Sequence, residues 1–110
     1  MSYNIVLTDH FKKEAKKLSK KYRSLKNELK GLGTKLSENP TSGTPLGNNV
    51  YKIRLAITSK RKGKSNGARV ITCVKVAEDI VYLISIYDKS QLENLTKDQI
   101  LGLLKKSGLI

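Results

Sequence analysis

Apolar residues recur at helical spacing in the first third of the chain and at strand spacing further on. A short apolar stretch from Ser2 to Leu7 predicts a strand, and Thr8 or Asp9 can cap the helix that follows. Two apolar series then advance by three or four residues, which is the spacing of one helix face. Their members are Phe11, Ala15, Leu18, Tyr22, Leu25, Leu29, Leu32 and Leu36. The polar stretch at 19–23 predicts either a helical hairpin or one long, kinked helix.

Three strands are expected after a loop from Asn39 to Asn49, which holds both prolines. Apolar and polar residues alternate from Tyr51 to Thr58 and again from Ala68 to Val76, as in half-buried strands. The segment from Ile80 to Tyr87 is almost continuously apolar, which is typical of a central strand. The short links between these strands favour an antiparallel meander.

A last short helix is expected from Leu95 to Leu104, where Thr96 and Gln99 form a capping-box pattern. The element order is therefore β, α, α, β, β, β, α. It predicts a single domain, residues 1–110, with an α+β fold. We expect the N-terminal helix pair to pack on one face of a mostly antiparallel four-stranded sheet, beside the short C-terminal helix.

The charge of the chain points to an anionic partner. Lys and Arg number 22 against 9 acidic residues, which gives a net charge of +13. Such an excess favours contact with a polyanion or an acidic protein. No apolar run is long enough to span a membrane, no signal-peptide pattern opens the chain, and Cys73 is the single cysteine. These features predict a cytoplasmic protein without a membrane partner.

Strand alternation sorts many of the cations onto one face of the sheet. If Ile53, Leu55 and Ile57 point to the helices, their neighbours point to the second face. We expect the inward set to continue with Val70, Thr72, Val74, Val76, Ile84 and Ile86. The second face then carries Lys52, Arg54, Ala56, Arg69, Ile71, Cys73, Lys75, Ser85, Tyr87 and Lys89. A basic loop at its rim carries Lys60, Arg61, Lys62 and Lys64.

This face has the composition of an RNA-binding surface. Cations with interleaved tyrosine suit a phosphodiester backbone and stacked bases. The alternative is an ordinary solvent-facing side of a sheet. An ordinary surface would mix acids with the cations, whereas this face holds almost none.

Several kinds of chemistry are excluded by the residue types. His10 is the only histidine, and one cysteine with scattered acids predicts no metal site and no cofactor. The stretch Gly63-Lys64-Ser65 lacks the preceding glycine of a phosphate loop. What remains is cleavage of RNA through its own 2′-hydroxyl, assisted by Lys, Arg and Tyr.

Three ordered segments add a family likeness. They are Tyr51–Leu55 (YKIRL), Gly67–Val70 (GARV) and Leu83–Lys89 (LISIYDK). Together with the FKKEAKKLSKKY opening and the element order, they resemble the RelE/ParE superfamily of toxins, especially its HigB/RelE-like branch. The resemblance extends from Tyr3 to about Leu104.

The resemblance implies a type II toxin that cleaves mRNA in the ribosomal A site without a metal, and that is held silent by a cognate antitoxin. Lys52 and Arg54 match the basic strand pair of RelE-type toxins, and Arg69 matches their phosphate-binding arginine. Lys89 stands where the family carries arginine. Leu95 falls near the place of the family's C-terminal tyrosine, so Tyr87, at the end of the last strand, is the expected replacement.

The expected catalytic residues are therefore Arg54, Arg69, Tyr87 and Lys89. The expected RNA-binding residues are Lys52, Lys60, Arg61, Lys62, Lys64 and Lys75. Two alternatives remain at this point: a ParE-like gyrase poison, which shares the fold, and a non-catalytic nucleic-acid-binding relative.

Overall fold

The computed structural model describes residues 2–60, 67–92 and 94–110. Its helices and strands follow the expected order, with one additional strand. They are β1 (Asn4–Leu7), α1 (Asp9–Lys21), α2 (Leu25–Glu38), β2 (Thr44–Gly47), β3 (Val50–Leu55), β4 (Ala68–Lys75), β5 (Ile80–Asp88) and α3 (Lys97–Lys106). Short 3₁₀ turns lie at Thr58–Lys60 and Val76–Glu78.

The strands form one mixed sheet in the order β1-β5-β4-β3-β2. The first strand runs parallel to β5, and every other neighbouring pair is antiparallel. The predicted α+β fold, with a helix pair on one side of a mostly antiparallel sheet, is confirmed. The predicted number of strands is wrong, because the sheet has five strands and not four.

The additional strand, β2, lies inside the predicted loop at 39–49. Gly47 pairs with Val50, so Asn48 and Asn49 form a two-residue hairpin turn. Both asparagines have positive φ angles, of 55° and 62°, which is the backbone that a tight hairpin requires. Every residue of β2 is exposed, so no alternation of apolar residues reveals it in the sequence.

The two N-terminal helices form a hairpin rather than one kinked helix. Thr8 caps α1 by accepting a hydrogen bond at 3.2 Å from the backbone N–H of Phe11. The capping box of α3 is confirmed by two hydrogen bonds. The Gln99 N–H donates to Thr96 Oγ1 at 3.1 Å, and the Thr96 N–H donates to Gln99 Oε1 at 2.8 Å.

Apolar side chains fill two separate cores, one on each face of the sheet. The first lies beneath α1 and α2 and includes Phe11, Leu25, Leu36, Ile53 and Val70. The second lies beneath α3 and includes Ile71, Cys73, Ile84, Ile100 and Leu104. The expectation that Ile71 and Cys73 lie on an open basic surface is therefore wrong. The second face is largely covered by α3, whose apolar side chains pack against those of the sheet.

A β-bulge changes which residues of β5 face each core. Ile71 pairs with Ser85 while Thr72 pairs with Leu83, so Ile84 is an extra residue. Ile86 faces the first core as predicted, but Ile84 faces the second core. Glu14 of α1 accepts hydrogen bonds at the bulge from Ser85 Oγ at 2.7 Å and from the Ile86 N–H at 3.1 Å. Val76, expected inside, is exposed in the turn after β4.

Candidate nucleic-acid interface

Three of the expected catalytic side chains lie in one line across the sheet. Arg54 of β3 is paired with Arg69 of β4, and Arg69 is paired with Tyr87 of β5. Directly opposite residues of antiparallel strands have Cα atoms about 4.5–5.5 Å apart and share a face. We call Arg54, Arg69 and Tyr87 the Arg–Arg–Tyr row. Arg54 is exposed, whereas Arg69 is 4% exposed and Tyr87 is 6% exposed.

The buried guanidinium of Arg69 is the central member of this row. Burial lowers its pKa, and the neighbouring charge of Arg54 lowers it further. Arginine nevertheless keeps its proton in proteins, so the row carries two positive charges on opposing residues. One donor of Arg69, Nη1, binds the carbonyl of Ala68 at 3.1 Å. Like charges directly opposite each other destabilise a sheet, and an anion between them removes that cost.

Tyr87 is the buried end of the row, and its phenol group is an available proton donor. Among the described residues, its Oη has no hydrogen-bond partner. Burial raises the pKa of Tyr87, while the nearby Leu95 backbone N–H and the charge of Arg69 offset part of the rise. The Leu95 amide lies close to the oxygen but does not reach hydrogen-bond geometry with it. A buried hydroxyl left unsatisfied costs about 1–3 kcal/mol, which makes Tyr87 a candidate functional group.

A close approach of backbones holds the start of β4 against β3. Gly67 lies so near the carbonyl of Leu55 that a Cβ at this position would come within 2.1 Å of the oxygen. Only glycine fits there, and Arg69 follows two residues later. Gly67 was part of the family likeness, but its packing role was missed because it depends on a contact between distant segments.

The other predicted residues fall at three different places. Lys52 lies two residues from Arg54 on the same face, and its Nζ donates to Asn94 Oδ1 at 3.0 Å. Lys89 directly follows β5, and its backbone N–H donates to the carbonyl of Gly67 at 3.0 Å. Lys75 lies six residues beyond Arg69, about 20 Å along the strand. Its Nζ donates to the carbonyl of Leu109 at 3.0 Å.

Lys60 is engaged on the opposite side of the sheet end. Its Nζ forms an ion pair with Asp88 Oδ1 at 2.8 Å. The structure therefore gives this ammonium group a partner inside the protein, and its predicted RNA contact stays a prediction. The remaining predicted loop residues lie outside the described part of the chain. They are Arg61, Lys62 and Lys64.

Two side-chain contacts of the candidate residues were not foreseen in the sequence. Asn94 binds Lys52, and Asp88 binds Lys60. An acid that directly follows the apolar run of the last strand was the available signal for Asp88, because a charge at such a place needs a partner.

The described ranges contain neither a metal-type cluster nor a membrane-type helix. No three His, Cys, Asp or Glu residues among them are grouped so that they could hold a metal ion. Within the same residues, no helix has the length and apolar composition needed to cross a membrane.

The sequence and the fold of the chain are similar to those of known toxins. Residues 3–108 match the family described as the RelE toxin of RelE/RelB toxin–antitoxin systems. The chain belongs to the RelE toxin family. The superfamily expected from the sequence is therefore confirmed, and its HigB/RelE-like branch stays a prediction. No curated protein matches the chain in sequence.

Two solved structures share the fold. One is a mutant of the Escherichia coli toxin RelE in the free state, with 23% identity, a TM-score of 0.63, and coverage of 96% of this chain and 97% of that one. The other is the toxin–antitoxin complex RelBE2 from Mycobacterium tuberculosis, with 16% identity and a TM-score of 0.61. That match covers 80% of this chain and 92% of the other. At these identities the likeness concerns the fold alone.

Proposed function

We propose that this RelE-family toxin acts in the cytoplasm, where it cleaves mRNA on the ribosome and so stops translation, without a metal ion. The observation that carries the proposal is the Arg–Arg–Tyr row. In it, two cations and one buried phenol, which has no hydrogen-bond partner among the described residues, lie in a single line across three strands. Such a set supplies charge stabilisation and a proton at one phosphodiester.

In the proposed reaction, the 2′-hydroxyl oxygen of one nucleotide attacks the adjacent phosphorus. The bond from phosphorus to the 5′-oxygen of the next nucleotide breaks, which leaves a 2′,3′-cyclic phosphate and a 5′-hydroxyl. Arg54 and Arg69 stabilise the added negative charge on the phosphorane.

The two protons of this reaction are assigned to different side chains. Tyr87, whose pKa is raised by burial, is neutral at physiological pH and donates a proton to the leaving 5′-oxygen. The neutral amine form of Lys89, which follows β5, is the proposed acceptor of the 2′-hydroxyl proton and becomes an ammonium group. Lys52 binds a flanking phosphate after releasing Asn94.

The direct test is cleavage of an mRNA on purified ribosomes in the presence of a chelator. The new 5′-hydroxyl end should be labelled by polynucleotide kinase without prior phosphatase treatment. A DNA-damage response without mRNA cleavage would favour a gyrase poison instead. Salt-dependent binding to ribosomes without cleavage would favour a non-catalytic relative.

A second surface supports the proposal of an acidic antitoxin. A groove of about 530 Å³ lies between α1 and α2, with Leu7, Ala15 and Leu29 among its apolar lining. Four lysines also line it, and no acidic side chain does so among the described residues. They are Lys12, Lys16, Lys20 and Lys26.

The first three of these lysines are four residues apart on α1, a spacing at which like charges destabilise a helix. An amphipathic antitoxin segment with carboxylates beside its apolar residues would relieve this repulsion and cover the apolar floor. Lys16→Glu should therefore weaken antitoxin binding more than Lys105→Glu, which makes the same charge change on α3. Equal effects of the two variants would place the antitoxin elsewhere.

A further inference from the structure

A buried polar cluster lies at the end of β5, on the face of the sheet opposite to the Arg–Arg–Tyr row. Its centre is Asp88, which is 2% exposed. Lys60 Nζ donates to Asp88 Oδ1 at 2.8 Å, and Tyr22 Oη donates to Asp88 Oδ2 at 2.6 Å. Ser90 donates twice to Oδ1, from its N–H at 3.0 Å and from its hydroxyl at 2.7 Å. Both oxygens of the carboxylate are therefore engaged.

The cluster keeps its charge although it is buried. Burial alone would raise the pKa of Asp88, but hydrogen bonds from Lys60, Tyr22 and Ser90 outweigh it and hold that pKa well below its ordinary value. The hydrogen bond from Tyr22 to the Asp88 carboxylate also raises the pKa of Tyr22. The ammonium group of Lys60 also lies 5.3 Å from the centre of the Tyr22 ring, a cation–π distance. The carboxylate, the ammonium group and the phenol thus form one unit.

This unit joins three segments that are far apart in the chain. Tyr22 follows the end of α1, Lys60 ends the 3₁₀ turn after β3, and Asp88 ends β5. The 3₁₀ turn is fixed from its other side as well, because Glu28 of α2 accepts from the N–H and the hydroxyl of Thr58. The cluster therefore connects the end of β5 to a turn that is itself anchored to α2.

Asp88 is flanked in sequence by the two residues proposed to move protons. Successive side chains of a strand point to opposite faces, so a fixed Asp88 side chain fixes the rotation of β5 at Tyr87. The carbonyl of Asp88 accepts from the N–H groups of Gln91 and Leu92, both at 3.0 Å. The strand end and the turn after it are therefore held by both the side chain and the backbone of Asp88.

Stability alone is a poor explanation of this arrangement. Apolar residues of similar volume often replace a buried ion pair without loss of stability. A carboxylate with several defined hydrogen bonds instead fixes the direction in which its side chain points. An apolar contact does not fix that direction.

We propose that Asp88 is a positioning residue for RNA cleavage, whose carboxylate, bound by Tyr22, Lys60 and Ser90, orients Tyr87 and Lys89 toward the two arginines of the row. This inference rests on the proposed ribonuclease function. It assigns to Lys60 a role that acts through Asp88 within the protein.

The test compares Asp88→Asn with Glu14→Gln. Both variants neutralise a carboxylate that binds β5, but Glu14 binds Ser85 and Ile86, before Tyr87, whereas Asp88 lies between Tyr87 and Lys89. Single-turnover cleavage is measured over a range of ribosome concentrations. For Asp88→Asn we expect the maximal rate to fall by between about tenfold and about 100-fold, with the half-saturating ribosome concentration unchanged. Glu14→Gln should stay near the wild-type rate.

A second readout does not depend on cleavage. In fluorotyrosine-labelled protein, Tyr87→Phe identifies the Tyr87 fluorine signal among those of the five tyrosines. Asp88→Asn should shift or broaden this signal, while the signal of Tyr3 stays in place. The corresponding spectrum of Glu14→Gln should match that of the wild type at Tyr87.

The outcomes separate the two proposals. If the wild type cleaves mRNA but Asp88→Asn keeps its maximal rate, or Glu14→Gln loses as much, the positioning role is overturned. If the wild type does not cleave, the proposed function fails and the role in cleavage fails with it, and the Tyr87 signal then tests only whether Asp88 orients Tyr87. An unmoved signal in Asp88→Asn would overturn that orientation, and a moved signal would support it.

Discussion

Arg54 and Arg69 lie opposite each other on β3 and β4, one exposed to solvent and the other buried. Burial therefore increases from Arg54 to Arg69, in the direction of Tyr87. An RNA phosphate that first meets Arg54 can be drawn toward a second cation in a less polar setting, where electrostatic attraction is stronger. The row is therefore suited to taking a phosphate out of water.

Arg69→Ala should remove most of the cleavage activity. The buried guanidinium is the donor closest to Tyr87 in the row, and loss of one such charge-stabilising donor costs about 10²–10³-fold in rate. Cleavage of mRNA on purified ribosomes measures the effect. Lys105→Ala on α3 is the matched control, since it removes one positive charge from an exposed side chain outside the row. A rate within twofold of the wild type for Arg69→Ala would refute the assigned role.

Tyr87→Phe should lower the cleavage rate without lowering the free energy of unfolding. It removes the proposed proton donor, and general acid catalysis contributes about 10²–10⁴-fold. It also removes a buried hydroxyl that has no hydrogen-bond partner among the described residues. We expect the free energy of unfolding to stay unchanged or to rise by about 1 kcal/mol. Urea denaturation and the cleavage assay together check this combination, and a variant that is both active and less stable would contradict it.

Acid should destabilise the protein through Asp88. The pKa of this carboxyl is depressed in the folded state, so its contribution is present above the unfolded value, near 3.8, and is lost as the pH falls below it. Asp88→Asn should remove that acid dependence from the unfolding free energy measured between pH 6 and pH 2. Asp79→Asn, at an exposed turn, should leave the acid dependence in place.

Lys60→Met should resemble Asp88→Asn. If Lys60 acts through Asp88, the maximal cleavage rate falls while the half-saturating ribosome concentration is unchanged. If Lys60 instead contacts RNA, as the sequence predicts, that concentration rises. The two quantities from one titration therefore distinguish an internal partner from an RNA contact.

Much of the fold follows from local patterns in the sequence. The leucine spacing of α2, the capping box at Thr96 and the apolar run of β5 each encode their element within a few residues. The exposed strand β2 has no such pattern, and only the turn residues Asn48 and Asn49 indicate a hairpin there. The bulge at Ile84 reverses the alternation without any glycine or proline to mark it.

The sequence predicted which face of the sheet carries the candidate site, but not how its side chains are buried and paired. Alternation along three strands placed Arg54, Arg69 and Tyr87 on one side of the sheet, and the register aligns them. The burial of Arg69 and Tyr87 could not be predicted, because it depends on how α3 packs across the second face. The ion pair of Lys60 joins residues 28 positions apart, a distance that no local pattern spans.

The position of β5 has a consequence for synthesis of the toxin. This strand is made late, yet it lies between β1 and β4. The N-terminal strand pairs with it across 76 residues of sequence, from Asn4 to Ile80. A nascent chain consequently lacks both the closed sheet and the Arg–Arg–Tyr row until residue 88 has left the ribosome. The row is therefore assembled only after the whole of β5 has been translated.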